Sequence, residues 1–365
     1  MRWHVMMSMS AGVFGLVVPE LGMRNKVWEW RGYEVRYTSV NEELDAREAP
    51  SVVLVHGLFA NADHWRKNCP ALADAGCRVF AIDLLGSGYS SKPAPSDPKA
   101  IAVSGERRFT GEAIAIVDDL GTASGKVRRG GPFEVPQRHP VAGSPYNFFT
   151  WSEQLSDFTR EIVKGGRVAL VCNSIGCISG LQAAIDRPDL FAGACLVSPN
   201  FRELHVAESP KIAIPATTLV QAALRRWGAG LFKRLANRDV VRAILTSQPY
   251  VDKSAVTDEL VDVLLNPLLL PGADKVVFDT LSYSAGPLPE QLLQDPNLQA
   301  NVFVCYGTGD PWTPGPRVEA LARFDPVKRV QALPEVGHCP HDEAPHLVNP
   351  FLLDFLQDTG LLRQT

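Results

Sequence analysis

Six short apolar runs, each bounded by turn-forming residues and separated by longer stretches with helical spacing, constrain this chain more than any other feature. They lie at residues 52–55, 79–82, 168–171, 195–197, 302–306 and 330–333. Runs this short and continuous are what strands look like when helices cover both faces of a sheet. Upstream, Trp28-Glu-Trp-Arg-Gly-Tyr-Glu-Val-Arg-Tyr alternates about Gly32 and predicts an antiparallel hairpin entering the same sheet. The expected fold class is therefore α/β, with a mostly parallel eight-stranded sheet flanked by helices. At 365 residues and 45% hydrophobic content, the chain can bury a core of that size.

Two segments break the alternation. Residues 93–145 are rich in Gly, Pro, Arg and Ser, with one apolar patch at 113–117. Structureless loops of this length are uncommon inside compact domains, so the segment reads as a mobile surface insertion. Residues 200–295 carry helical patterns at 214–231, 239–245 and 257–265 and no strand, which predicts a helical cap between two strands of the core. The expected organisation is a leader or disordered stretch at 1–26, a first core part at 27–199, the cap at 200–295 and a second core part at 296–365. Within the core, the best helix signal starts at Thr150 with Glu153 as its capping box and stops at Gly165-Gly166. In the leader, Arg2 and His4 precede an apolar stretch at 5–18, too short for a span that takes roughly 20 residues. It reads either as a frayed end or as a targeting segment.

A formal net charge of −4, with Lys and Arg scattered, gives no electrostatic footprint for nucleic acid. A small neutral or apolar partner fits better. The seven cysteines, Cys69, Cys77, Cys172, Cys177, Cys195, Cys305 and Cys339, are odd in number and lack a Cys-x-x-Cys pair. They read as reduced core thiols, which favours a reducing compartment.

Arg167 to Ala184 has the shape strand, tight turn, helix, with Ser174 at the turn. A serine held in strained backbone at a strand end points its hydroxyl out of the sheet, and small residues two places either side let strand and helix approach. Here those residues are Cys172 and Gly176; cysteine stands where glycine is usual. Alone, the serine could equally cap the following helix. Further elements argue for chemistry. Leu54-Val-His-Gly-Leu-Phe ends the first parallel strand with a turn that offers the backbone N–H of Leu58. The N–H of Ile175 follows the nucleophile at a helix N-terminus, where amides are unpaired and negative charge is favoured. Asp310, in Tyr306-Gly-Thr-Gly-Asp-Pro-Trp, directly follows an apolar strand, and His338, in Leu333-Pro-Glu-Val-Gly-His, follows the last one. The chain order Ser, acid, His belongs to a nucleophile-elbow triad. Two other histidines compete as base. His56 sits in a turn it would support structurally, and His341 lacks the preceding Gly that turns a loop back.

A serine hydroxyl is a poor nucleophile at neutral pH, so an imidazole must take its proton and a carboxylate must hold the imidazole. Aspartate at 174 would have implied an alkyl-enzyme, as in epoxide hydrolases; serine argues for acyl transfer. The motifs Trp28-Glu-Trp-Arg-Gly-Tyr, His64-Trp-Arg-Lys-Asn, Asp83-Leu-Leu-Gly-Ser-Gly-Tyr-Ser-Ser-Lys-Pro, Cys172-Asn-Ser-Ile-Gly, Gly286-Pro-Leu-Pro-Glu and Gly337-His-Cys-Pro-His-Asp-Glu-Ala-Pro, spread over residues 27–356, resemble the pheophytinase-like α/β-hydrolases of plants, algae and cyanobacteria. The resemblance implies an α/β-hydrolase fold with a serine triad. It also implies hydrolysis of a phytyl ester of a chlorophyll-type pigment and a plastid location, with peripheral thylakoid association open and a cytoplasmic location as the alternative. The long 93–145 insertion departs from that pattern.

The expected function is hydrolysis of a bulky apolar carboxylic ester through an acyl-enzyme on Ser174, with no metal or organic cofactor. Substrate-pocket candidates are Phe59, Trp312 and His205. Apolar cap residues such as Leu219, Leu224, Trp227, Leu231, Phe232, Leu264, Leu265 and Phe278 are expected mostly to pack the cap and in part to line the pocket. Two alternatives stay open. One keeps the fold with another reaction, C–C bond hydrolysis, a lyase step or acyl transfer. The other is a ligand receptor with slow turnover.

Overall fold

The structure is a computed structural model, and it describes residues 24–105, 114–117, 133–136, 138–202, 205 and 212–362. The expected leader therefore lies almost wholly outside the described residues. Ten strands are described: β1 (Arg24–Trp30), β2 (Tyr33–Val40), β3 (Ser51–Val55), β4 (Arg78–Ile82), β5 (Ile114–Val117), β6 (Phe133–Pro136), β7 (Val168–Asn173), β8 (Phe191–Val197), β9 (Asn301–Gly307) and β10 (Val327–Leu333). Eight of them form one sheet in the order β1-β2-β4-β3-β7-β8-β9-β10. β1–β2 and β2–β4 pair antiparallel, and every other neighbour in that sheet pairs parallel.

Strict alternation divides the strands between two cores. Val53 and Val55 of β3, Phe80 and Ile82 of β4, and Leu170 and Cys172 of β7 point to one face. Val52 and Leu54, Val79 and Ala81, and Ala169 and Val171 point to the other. The first face is covered by α3 (Phe148–Phe158) and α4 (Ile175–Asp186), the second by α1 (Cys69–Asp74) and, from the far end of the chain, α13 (Pro345–Asp358). All seven cysteines are buried and free. A helix on each face is why these runs carry no polar alternation.

Residues 93–145 are more ordered at their base than their composition suggests. α2 (Pro98–Val103) starts with Pro at its first position, and Asp97 caps it by accepting from Lys99 N. β5 and β6 form a separate antiparallel pair. The two ends of the segment are stitched together. Tyr146 donates from its hydroxyl to Pro93 O, Asn147 Nδ2 donates to Ser104 Oγ at 3.0 Å, and Gly105 N donates to Thr150 Oγ1 at 2.8 Å. The expectation of a mobile insertion falls mainly on residues 106–113, 118–132 and 137, which lie outside the described residues. The same bonds correct the helix start. The cap of α3 is Asn147, whose Oδ1 accepts from both Phe149 N and Thr150 N, so Thr150 lies inside the first turn with its hydroxyl oxygen accepting from Gly105 N.

Between β8 and β9 runs the helical cap: α5 (Ile214–Trp227), α6 (Ala229–Leu235), α7 (Arg238–Ser247), α8 (Asp258–Leu268), α9 (Ala273–Leu281) and α10 (Pro289–Leu293). The cap has its own small core, in which Leu245, Tyr250, Leu260, Val261 and Leu264 meet Ala60 and Cys339. α10 departs from the expected boundary at 295. Leu292 and Leu293 pack with the main core, and Glu290 is locked to Arg317 by a buried ion pair of 2.6 Å. After β9 come α11 (Gly315–Glu319) and α12 (Pro340–Glu343).

Candidate functional site

Three loops at the carboxyl ends of parallel strands bring Ser174, Asp310 and His338 together. Ser174 sits between β7 and α4 with φ 54 and ψ −120, a conformation that L-residues avoid and that turns the hydroxyl away from the sheet. Such a turn needs room. A Cβ on Gly176 would stand 2.6 Å from His56 O, and one on Gly180 would stand 2.5 Å from Cys172 Sγ. Gly180, one helical turn further on, thus makes the space that Cys172 occupies where the motif usually has glycine.

Asp310 follows β9. Its Oδ1 accepts from Trp312 N at 2.8 Å and Thr313 N at 3.2 Å, and its Oδ2 lies 2.7 Å from His338 Nδ1. Burial alone would raise its pKa, but the His338 ring and these hydrogen bonds outweigh it, and the net direction is down. Asp310 is therefore the anionic acceptor, and Nδ1–H of His338 donates to it. That leaves Nε2 as the ring acceptor, 3.0 Å from Ser174 Oγ. Thr313 Oγ1 stands 3.3 Å from Nδ1 as a second neighbour. His338 is held by the cap as well as by the core, because its N–H donates to Pro249 O at 2.7 Å, just beyond α7. Gly337 permits that approach, since a Cβ there would lie 2.2 Å from Pro249 O.

The two competing histidines are both committed elsewhere. His56 Nε2 accepts from Leu84 N at 3.1 Å and its Nδ1 faces Gly57 O at 2.8 Å, so it braces the β3 turn with both nitrogens used. His341 lies in a buried relay. Tyr250 donates its hydroxyl hydrogen to Asp342 Oδ2, so His64 Nε2 must donate to Tyr250 Oη, and His341 Nε2 in turn to His64 Nδ1, over 3.0, 3.0 and 3.2 Å. Burial pushes the His64 pKa down to about 4, and that of His341 well below its ordinary value. Both rings are neutral struts.

A shallow cleft opens next to the turn that carries Ser174; Ile175 is in its wall, while Ser174, Asp310 and His338 are not. Leu58, Phe59 and Ile175 contribute to its wall, so the two turns expected to donate backbone N–H groups border the same space. Among the described residues, neither Leu58 N nor Ile175 N has a backbone acceptor. Val276 and Val277 of α9 close the cleft from the cap side. Of the three pocket candidates, Phe59 lines the cleft. Trp312 instead packs edge-on against the His338 ring, with centroids 4.9 Å apart. His205 does neither: it is fully buried with Nε2 3.1 Å from Gly286 O, and desolvation lowers its pKa to about 3. Its expected place at the site is corrected to a strut inside the cap, because its ring is spent on a backbone carbonyl.

Several neighbours escaped the sequence reading. Pro249 carries no motif, and Trp151, Lys92 and α9 reach the cleft only through tertiary packing. Burial lowers the Lys92 pKa to about 8. Thr313 had a legible signal, an Asp followed three residues on by a hydroxyl residue in a turn.

The fold and this arrangement define a class. Residues 52–351 match the family model described as the alpha/beta hydrolase family, and the chain belongs to that family. Among characterised relatives, it is 24% identical over 338 residues to the chloroplastic pheophytinase of Arabidopsis thaliana, an alignment that takes in 88% of this chain and 64% of the relative. Epoxide hydrolase A of Mycobacterium tuberculosis is 42% identical over 73 residues, covering 20% of this chain and 21% of that one. The chain thus spans less than two thirds of the length of either relative. Among solved structures, an esterase from Thermogutta terrifontis superposes with a TM-score of 0.58 at 18% identity, over 92% of this chain and 99% of the esterase.

Proposed function

We propose that this chain is a serine-dependent ester hydrolase acting on a bulky apolar carboxylic ester. The observation that carries the reading is the continuous line Asp310–His338–Ser174, with contacts of 2.7 and 3.0 Å in the protonation order attack requires. In this reading Ser174 Oγ attacks the ester carbonyl as His338 Nε2 takes its proton. The oxyanion is met by Leu58 N–H and Ile175 N–H, and His338 returns the proton to the departing alcohol. Water, activated by the same ring, then releases the acid. Residue 174 is a serine, so the attack by carboxylate that makes an alkyl-enzyme has no nucleophile here, whatever the local likeness to epoxide hydrolases.

For the substrate, the largely apolar lining of the cleft favours an apolar ester. The alignment with pheophytinase over most of this chain supports a phytyl ester of a chlorophyll-type pigment, and with it a plastid location. The test is incubation of the wild type and Ser174→Ala with p-nitrophenyl esters, pheophytin and chlorophyll, followed by chromatography of the released alcohol and acid. Cleavage of pheophytin by the wild type alone is the expected result. Cleavage of simple esters but of neither pigment would remove the pigment reading and keep the esterase. Equal activity in the two proteins would remove both.

A further inference from the structure

The outermost cap helices carry a surface that catalysis at Ser174 does not use. α5 and α6 have no buried residue over their whole length. Yet Leu219 is 72% exposed, Trp227 72% and Leu231 48%, and Val220 and Leu235 are exposed with them. Trp227, Leu231 and Leu235 are spaced four apart, and Val220 stands seven before Trp227. The two helices join through Gly228 in right-handed helical conformation, so these side chains form one apolar stripe.

Charge says what covers that stripe. From Ile212 to Arg238 the basic residues are Arg225, Arg226, Lys233, Arg234 and Arg238, with no Asp or Glu, in a chain whose formal net charge is −4. Arg238 is tied to Asp258 and Asp262. Among the described residues Arg226, Lys233 and Arg234, all exposed, have no such carboxylate partner. A pair of helices with exposed Trp and Leu, whose only charged residues are cations, has the composition of one lying in the plane of a lipid surface. A second copy of this chain would bring the same cations against each other, whereas anionic headgroups neutralise them.

We infer that α5–α6 is a docking surface for an anionic lipid membrane, the apolar stripe entering the headgroup boundary and Arg226, Lys233 and Arg234 meeting lipid phosphates. The surface adjoins the cleft through one helix. Phe232 packs edge-on against Phe278 of α9, with centroids 6.1 Å apart, and Val276 and Val277 of the same helix line the cleft. Docking therefore brings the cap side of the molecule, with its cleft, toward the phase in which an apolar ester dissolves. The surface is independent of which ester reaches Ser174.

The test uses the full chain in co-sedimentation with phosphatidylcholine vesicles, with and without phosphatidylglycerol as about a third of the lipid. Binding is expected to the anionic vesicles and to weaken with salt. The triple variant Arg226→Glu/Lys233→Glu/Arg234→Glu should weaken it on the order of a hundredfold. Leu219→Ser/Trp227→Ser/Leu231→Ser should reduce it to background, and because these side chains are exposed the variant should keep its circular dichroism. As a readout that needs no such variant to fold, the difference in emission between the wild type and Trp227→Phe should shift to the blue when anionic vesicles are added. Three outcomes would overturn the inference: no binding to anionic vesicles, variants that bind like the wild type, or a self-association removed by the serine variant without any vesicle binding.

Discussion

The strand-end site is fixed from several sides and the outer cap helices from almost none. Ser174 is held by a strained turn that two glycines make possible, and Asp310 by two backbone amides. His338 is gripped by a carboxylate on one side and by the cap's Pro249 on the other. α5–α6, by contrast, touches the rest of the molecule through half-buried groups such as Phe232 and through Gln221, whose Nε2 donates to Leu281 O and Ser284 Oγ. The difference teaches that an apolar pattern states which side chains avoid water without stating what shelters them. In the sheet it is the protein; on α5–α6 it is something the protein meets.

Substitutions at the two places should separate by orders of magnitude. In the site, Ser174→Ala should lower kcat roughly 10⁴- to 10⁶-fold while leaving KM for a cleaved ester near the wild-type value, as steady-state kinetics will show. In the sheet, Leu54→Ala leaves a cavity in a fully buried strand and should cost about 2–5 kcal/mol in urea unfolding. At the seam between core and cap, Gly337→Ala drives a methyl group against Pro249 O. It should cost about 1–3 kcal/mol and, by displacing His338, roughly 100-fold in kcat.

Acid should destabilise the fold through its buried histidines. His64 and His205 have pKa values lowered to about 4 and about 3, against an ordinary value of 6.5. Below pH 6.5 the unfolded chain therefore binds protons that the folded one refuses. Stability is intact above that pH and falls as the pH drops toward 4, so Tm should decrease by a few degrees between pH 7 and 5. His64→Gln should flatten part of that dependence in the same melts. The smallest effect belongs to the outer helix: Leu231→Ala should change stability by less than about 0.5 kcal/mol. A large loss there would mean that the chain itself covers the stripe.

Most of the core was legible because each of its elements announces itself locally. The strand runs, the Ser174 turn and the Gly before His338 are short-range signals, and the order Ser, acid, His links them. The cap helix patterns at 214–231, 239–245 and 257–265 were equally plain, whereas α9 and α10 lay outside them. The solvent-facing side of those patterns was not, since Leu219 and Trp227 read like packing residues until the burial of α5 is known. The start of α3 was misplaced by three residues because Thr150 and Glu153 mimic a capping box, while the acceptor that captures the free amides is Asn147. His205 could not be told from a pocket residue, for its partner Gly286 is distant in sequence and offers only a carbonyl. For His205 and the outer face of α5 the deciding feature is a backbone atom or a surface, which side-chain patterns do not encode.

The central claim is that Ser174 is an activated nucleophile. Its most direct measurement is intact-mass and peptide analysis after brief exposure to a fluorophosphonate probe at neutral pH, with Ser174→Ala and His338→Ala alongside. One adduct per chain is expected, carried on the peptide containing Ser174, absent from Ser174→Ala and strongly slowed in His338→Ala. A folded wild-type protein that stays unlabelled, or labels equally well without His338, would contradict it.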